Sequence, residues 1–350
     1  MSVDWDSEAS HLLLNPRMPE QEQERLQSFV VDLPSHVWLA TSGTTGALKL
    51  VALSKRALLA SAAAVNRHLQ ASSADVWCCV LPRFHVGGLG IDARAFLTGS
   101  RVVTDSWDAH RFAERTDVTL ASLVPAQVSD LVRAQLRAPR AMRAIVVGGG
   151  SLSRESYDAA RALGWPLLPS YGMTECASQV ATATLQSAEL VALDHVEIRT
   201  EEGRLAMRGE SLLTGYGTDG GFVDPKIDGW FLTEDLGTLE GRILRIFGRR
   251  GDFVKIGGES VDLGRLDAIL SSLGTPQAAL LAVPDERLGF TIHLVVGLEE
   301  DGEGLAKRYN ERVLPFERAR QVHRVPEIPR TSLGKLNRMK LMAMIPNLVE

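Results

Sequence analysis

A chain of 350 residues, 45% hydrophobic and 23% charged, is long enough for one large core and a second, smaller one, and its composition excludes a disordered or fibrous protein. Basic and acidic residues number 38 and 43 and are interspersed, for a formal net charge of −5, which excludes the basic footprint of a nucleic-acid binder. Cys78, Cys79 and Cys176 make neither a disulfide framework nor a zinc site, and no apolar run reaches the roughly 18 residues of a membrane span.

The amino-terminal stretch MSVDWDSEASHLLLNP lacks the basic-then-apolar order of a secretion signal, so a reducing cytoplasm is the expected compartment. Residues 1–35 are polar and punctuated by proline, with one short helix expected over 20–31. HVWLAT at 36–41 reads as a strand running into a glycine- and hydroxyl-rich loop. The Ala-rich stretch 54–69 reads as a helix with Ser54 as its N-cap. VWCCVL at 76–81 reads as a buried strand that holds Cys78 and Cys79. Strands are expected over 119–124 and 144–147, separated by a helix over 126–137, with another helix over 151–163. Strands alternating with helices predict an α/β layered domain with a mostly parallel sheet.

From about residue 193 the pattern changes to short strands with glycine turns (HVEIRT, GRLAMRG, GWFLTEDLGTLEGRILRIFG), which predicts a β-rich subdomain. The stretch GRRGDFVKIGGES then reads as a linker. Beyond it, helices are expected over 263–273 and 304–314 and strands over 278–283 and 292–298. This gives two domains, 1–248 and 249–350, the second a small α+β unit.

Four segments carry chemistry. In Thr41-Ser42-Gly43-Thr44-Thr45-Gly46-Ala47-Leu48-Lys49, Gly43 and Gly46 let backbone N–H groups approach an anion. Ser42, Thr44 and Thr45 add hydroxyls and Lys49 adds a positive charge. The spacing is neither GxxxxGK[ST] nor GxGxxG, and alone it is also what a hydroxyl-rich surface turn would show. In the tight loop Ser170-Tyr171-Gly172-Met173-Thr174-Glu175, Tyr171 suits a flat base, Thr174 a phosphate oxygen and Glu175 a Mg²⁺ ion, which takes oxygen ligands. GWFLTEDLG sets Asp235 at a strand end, where it can accept two ribose hydroxyls, and Arg249 follows in GRRGD. PRTSLGKLNR carries Lys335 in a glycine-bearing loop, a mobile cation suited to displacement at phosphorus. Taken singly, the last three are as consistent with turns and solvated tails.

Together, in this order, TSGTTGALK, PSYGMTE, GWFLTEDLG with GRRGD and GGES, and PRTSLGK resemble the AMP-forming acyl/aryl-CoA synthetases. That superfamily also holds luciferases and peptide-synthetase adenylation domains. The resemblance covers about residues 36–340. It implies a large layered α/β domain with a β-rich subdomain and a small mobile α+β carboxy-terminal domain. It also implies two half-reactions. A carboxylate and ATP give acyl-AMP and pyrophosphate, and the CoA thiol then displaces AMP; the implied cofactors are ATP, Mg²⁺ and CoA as co-substrate.

The implied roles follow motif by motif. Thr41, Ser42, Gly43, Thr44, Thr45, Gly46 and Lys49 would hold the β- and γ-phosphates. Gly149, Gly150 and Ser151 of VVGGGSLS would line the adenine. Tyr171 would stack on it beside Gly172 and Met173, Thr174 would touch the α-phosphate, and Glu175 would bind Mg²⁺. Asp235 and Arg249 would hold the ribose, and Lys335 would be the adenylation lysine. The hinge would fall at Gly251 and Asp252, with GGES facing the site in the thioester-forming pose. Leu48 stands where the family has proline and Leu50 where it often has glycine, which predicts altered loop rigidity. The stretch before the phosphate loop is short for the family, and a homo-oligomer partner is the expected substitute for that surface.

Within the family, PRFHVGGL at 82–89 and SYGMTECASQVAT are most similar to the o-succinylbenzoate–CoA ligases of menaquinone biosynthesis, with Ser178 and Gln179 carrying much of the likeness. His85 would gate the acyl pocket beside the reacting carboxylate. Gly87, Gly88 and Gly90 would admit a flat substrate, and Arg94 would grip a second carboxylate, since guanidinium binds carboxylate bidentately. Arg330 and Arg338 are candidates for CoA phosphates. Competing readings are a CoA ligase for another aryl or medium-chain acid, a stand-alone domain that loads a carrier protein, and a non-catalytic adenylate-binding protein. Keeping Glu175, Asp235, Arg249 and Lys335 together favours catalysis.

Overall fold

Short, continuously apolar runs are what parallel strands buried on both faces require, and this chain uses them so. In the computed structural model, which describes residues 3–42, 48–150, 152–250, 253–256, 259–285, 287–331, 334 and 336–345, three such runs and two less buried strands form a parallel array. Their order is Arg101–Thr104, Val76–Cys79, Leu120–Leu123, Ala144–Val147 and Leu167–Met173. Every residue of Leu120–Leu123 and Ala144–Val147 is buried. Successive side chains point to opposite faces of a strand. Ile145 and Val147 accordingly join a core with Trp165, Leu131 and Phe112, while Ala144 and Val146 join another with Trp77, Val65 and Ile91.

Helices Lys55–Leu69, Val86–Thr98, Pro125–Arg133 and Arg154–Ala162 alternate with these strands. Ser54 caps the first, its hydroxyl accepting from Ala57 N, and Ser153 caps the last. The expected helix over 151–163 therefore starts later, because Ser153 closes its first turn from outside. The array becomes antiparallel where Leu167–Met173 pairs with Ser178–Thr182, which pairs with Leu190–Ala192. The glycine-turned hairpin Val196–Glu201 with Arg204–Gly209 and strands Phe231–Glu240 and Ile243–Arg249 complete an eleven-stranded sheet.

A second sheet holds five strands in the order His11–Leu13, His36–Ser42, Leu48–Ser54, Gly215–Thr218 and Gly221–Val223. Of these the sequence pattern announced only His36–Ser42. His11–Leu13 runs parallel to Val37–Leu39, and its approach is held by buried Lys55, which donates to the carbonyls of Asp4 and Ser7. Leu48–Ser54 returns antiparallel to His36–Ser42, in the register Thr41↔Lys49 and Ser42↔Leu48. The phosphate-loop segment thus joins two paired strands.

The chain divides into two compact units, 1–233 with 238–245, and 234–237 with 246–350. In the second, Ala278–Asp285, Gly289–Gly297 and Ala319–Val325 pair side by side, with Phe253–Ile256 and Glu259–Asp262 in the same sheet. Alternation again sorts the faces. Leu280, Leu294 and Val296 pack with residues of helices Leu263–Ser272 and Gly302–Asn310, whereas Leu281 and Val295 pack with Leu341 and Ile345. Among the described residues no helix is long and apolar enough to cross a membrane.

Candidate active site

In open α/β sheets, ligands gather beyond the carboxyl ends of parallel strands, and the candidate residues of the first unit lie there. His85 follows Val76–Cys79, Gly149 and Gly150 follow Ala144–Val147, and Tyr171 lies near the end of Leu167–Met173. Val147 stands opposite Pro169, so the glycine segment and the Ser170–Glu175 segment leave neighbouring strands. Ser170 Oγ donates to Val147 O at 3.0 Å and binds the two together.

Residues 170–175 are not one tight loop. The strand runs through Met173, and Thr174–Cys176 forms a single 3-10 turn. The chain then reverses through Ala177 (φ 54°) and Ser178 (φ 122°). Such backbone is strained for a non-glycine residue by about 1–3 kcal/mol, and strain of this kind collects at functional sites. The register slips between Tyr171 and Gly172, and a Cβ on Gly172 would overlap the Ser178 carbonyl. Glycine is needed here for close approach of the chain to itself.

Glu175 sits within a small charged cluster. Lys49 Nζ lies 3.7 Å from its Oε1, Tyr216 Oη donates to the same oxygen at 3.0 Å, and Leu213 N donates to the Glu175 carbonyl at 2.8 Å. Strand pairing explains the meeting. Tyr216 stands opposite Val51, two positions from Lys49, and cross-strand diagonal neighbours on one face are within reach of long side chains. The Lys49 ammonium lies 3.4 Å from the centre of the Tyr216 ring. Thr41, opposite Lys49 across the hairpin, has a buried hydroxyl with no hydrogen-bond partner among the described residues.

A lone carboxylate beside a lysine and an orphan hydroxyl suits a phosphate chain carrying Mg²⁺. That ion keeps water and phosphate oxygens as ligands and needs one or two carboxylates. Consistently, the described residues contain no group of three or more His, Cys, Asp or Glu that would hold a metal by themselves. Gly43, Thr44, Thr45, Gly46, Ser151, Gly251, Asp252, Gly257, Gly258 and Lys335 lie outside the described residues, as does the side chain of Ser42.

The acyl-side candidates converge on Arg94. It sits on helix Val86–Thr98, is 2% exposed, and is wrapped by neutral groups. Its Nη1 donates to Ser122 Oγ at 3.2 Å, and Nη2 donates to Gln179 Oε1 at 2.6 Å and to Ser178 Oγ at 3.5 Å. Gln179 Nε2 donates to Thr182 Oγ1 at 2.7 Å, which turns the amide oxygen toward the arginine. Trp77 lies alongside, 5.3 Å from the guanidinium carbon to the ring centre. Arg94 Nε has no hydrogen-bond partner among the described residues. No carboxylate among the described residues offsets the charge, and desolvation pulls the guanidinium pKa down to about 10, so it remains charged at neutral pH. A buried charge paired only with neutral dipoles is costly. Gly90 packs closely against it, since a Cβ there would stand 3.2 Å from Nη2.

His85 N-caps the same helix by position, and its ring lies 4.6 Å from that of Phe84. The segment is clamped by Arg83, which donates to Asp92 at 2.5 and 3.0 Å and to Thr104 Oγ1 at 2.9 Å. The expectation for Gly88 needs correcting. A Cβ there would strike the Pro82 carbonyl, so its smallness serves the turn into the helix rather than a flat substrate.

In the second unit, Asp235 is not at a strand end. It lies inside the ten-residue strand Phe231–Glu240, where alternate residues Phe231, Thr233, Asp235 and Gly237 are buried. Arg249 Nε donates to Asp235 Oδ1 at 2.7 Å. The two ribose candidates therefore meet, with Asp235 buried and Arg249 half-exposed. Arg330 is held by the carbonyls of Gly334 and Pro276, and Arg338 pairs with Asp267.

Sequence reading missed Tyr216, Ser122 and Trp77. Tyr216 had a weak mark, an aromatic residue between two glycines in GYG. Ser122 and Trp77 had none, because each looks like ordinary strand content.

Known proteins place this arrangement. The profile of the AMP-binding enzyme family matches residues 36–216. The chain is 31% identical over 335 residues to a 2-succinylbenzoate–CoA ligase of Geobacillus kaustophilus, covering 87% of this chain and 68% of that protein. It is 29% identical over 328 residues to the Bacillus licheniformis enzyme of the same name, covering 86% and 68%. Among solved structures, o-succinylbenzoate CoA synthetase from Bacillus subtilis in complex with its acyl-adenylate intermediate superposes with a TM-score of 0.77. The identity is 26%, over 87% of this chain and 68% of that one. The same enzyme in complex with ATP and magnesium gives 0.77 at 25% identity, over 87% and 69%. By sequence and by structure, the chain belongs to the family of AMP-binding enzymes.

Proposed function

We propose that this enzyme is an AMP-forming acid–thiol ligase that activates o-succinylbenzoate with ATP and passes the acyl group to CoA. In the first half-reaction the aryl carboxylate attacks the α-phosphorus of ATP and pyrophosphate leaves. In the second, the CoA thiol attacks the acyl carbon and AMP leaves. The two relatives named above and the synthetase structures carry this activity in their names, which supports the reading.

One observation favours a dicarboxylic substrate over a monocarboxylic one. Arg94 is a buried, charged guanidinium without a carboxylate partner, and a substrate with a second carboxylate supplies the missing charge in a form the fork can grip. Ser122, Ser178 and Gln179 hold the fork in place. Displacement at phosphorus depends on positioning and charge neutralisation. In this scheme Lys49 and the loop hydroxyls neutralise the departing phosphates. Glu175 holds the magnesium carried by ATP, Tyr171 with Gly149 and Gly150 packs on the adenine, and Asp235 and Arg249 hold the ribose. His85 stands at the acyl carboxylate. Lys335, on a carboxy-terminal domain of residues 249–350 that turns about Gly251 and Asp252, neutralises the attacked phosphate. ATP and CoA are intracellular co-substrates, which favours a cytoplasmic setting.

The test is pyrophosphate release across a panel of acids, with and without CoA. Release with o-succinylbenzoate at least about tenfold above that with benzoate or octanoate at equal concentration is expected from one desolvated charge pair. Equal release with the monocarboxylates overturns the assignment. Lys335→Ala is expected to abolish pyrophosphate release yet leave thioester formation from supplied acyl-AMP largely intact, read by product chromatography.

A further inference from the structure

We infer that Tyr216 is a positioning residue that keeps Lys49 and Glu175 apart and ready for a magnesium-bearing triphosphate. The inference rests on the proposed ATP site. Left to themselves, an ammonium and a carboxylate this close would close into a contact pair at about 2.7–2.9 Å. Here they stand 3.7 Å apart. Two features of one side chain oppose that closure. The ring of Tyr216 lies under the Lys49 ammonium at 3.4 Å, a cation–π seat. Its hydroxyl donates to Glu175 Oε1 at 3.0 Å, occupying lone-pair space on the oxygen nearest the lysine.

The seat is built into the fold. Tyr216 lies on strand Gly215–Thr218, whose pairing with Leu48–Ser54 sets it opposite Val51, on the face that Lys49 shares. A Cβ on either flanking glycine has no room. At Gly215 it would meet the Phe222 ring and the Val223 carbonyl, and at Gly217 the Phe29 carbonyl. The GYG sequence thus presses this strand into place and leaves the tyrosine as its projecting group. A phosphate chain then draws Lys49 off the ring rather than out of a contact pair with Glu175, and the Glu175 carboxylate, its Oε1 engaged by the Tyr216 hydroxyl, offers Oε2 to the metal. The ring and the hydroxyl act on different partners, so two substitutions separate them.

The experiment measures binding directly, by calorimetric titration of the full chain with ATP alone, with Mg²⁺·ATP, and with Mn²⁺·ATP monitored by the metal's paramagnetic resonance. Steady-state KM for ATP and for the acid is measured in parallel. Tyr216→Phe keeps the seat and removes the donor. It is expected to leave the affinity for metal-free ATP within about twofold of the parent and to raise the metal concentration for half-saturation about tenfold, the worth of one hydrogen bond to a charged group. Tyr216→Leu removes both, lets Lys49 close onto Glu175, and is expected to weaken metal-free ATP about fivefold, the cost of breaking a partly exposed ion pair before phosphate can bind. KM for the acid stays within about twofold in both variants, whereas a merely structural role would lower the melting temperature and shift every KM together.

An unaltered metal dependence in Tyr216→Phe, or equal losses for metal-free and metal-bound ATP, overturns the inference. A parent protein that binds no ATP in any form fails the proposed function instead, so the two failures are distinguishable.

Discussion

Three basic side chains of the first unit, Arg94 buried and Arg143 and His195 partly buried, meet the loss of solvent differently. Arg143 is paired. It donates twice to Asp75 at 2.7 Å and also to the carbonyls of Leu69 and Gln70. Asp75 further accepts from Thr119 and from Ser72 N. The arginine beside it holds its carboxyl down at about 2. His195 gives up its charge. Its ring nitrogens have no hydrogen-bond partners among the described residues, and burial drives its pKa down to about 4. Arg94 has neither remedy. It cannot deprotonate near neutral pH, and its neighbours Ser122, Ser178 and Gln179 are neutral. Arg94 is thus the one of the three that stays charged without a carboxylate partner among the described residues, which is why it is the proposed grip for a ligand carboxylate, whereas the other two are already settled by the chain itself.

The contrast can be broken or sharpened at each site. His195 gives the largest expected effect. Its folded pKa lies below the free value of 6.5, so the unfolded chain binds more protons between pH 6.5 and about 4, and stability falls as the pH drops through that window. His195→Leu is expected to remove on the order of 2–3 kcal/mol of that acid loss, read from denaturant midpoints at pH 7 and pH 4.5. An unchanged slope would mean the imidazole is not held neutral.

Next comes Arg94. Arg94→Ala is expected to raise KM for o-succinylbenzoate by one to two orders of magnitude, or about 2–3 kcal/mol, with KM for ATP little changed. The shorter, uncharged Arg94→Met is expected to match the parent in melting temperature or exceed it, since removing an uncompensated buried charge relieves desolvation. A variant that unfolds early while keeping its KM would make Arg94 structural, like Arg143.

Asp75 loses stability toward acid as His195 does, but in a lower window. Its carboxyl is lowered from 3.8 to about 2, so its contribution is present above pH 3.8 and is lost as the pH falls through 2. Asp75→Asn is expected to cost about 2 kcal/mol of stability at pH 7 and to leave both KM values alone. The smallest effect is expected at Gly90. A Cβ 3.2 Å from Arg94 Nη2 crowds the approach to the guanidinium without touching the fold. Gly90→Ala is expected to raise KM for the acid a few-fold, about 1 kcal/mol, with melting unchanged.

The sequence by itself determined what local chemistry can write. Apolar runs at 76–79, 120–123 and 144–147 became the parallel strands, and Ser54 became the N-cap it was expected to be. The motifs of the proposed nucleotide site were legible in the sequence, because loops that approach phosphate need glycine and hydroxyl residues wherever they occur. Arg94 was legible as a candidate from its place after PRFHVGG. Tertiary structure alone decided that Arg94 is buried and unpaired, that Asp235 lies inside a strand, and that the phosphate-loop segment joins two paired strands. It also decided that Tyr216 touches both Lys49 and Glu175. These outcomes depend on register between strands far apart in the chain. A one-residue slip sends every side chain to the opposite face, and no short stretch of residues records which register a distant partner will adopt.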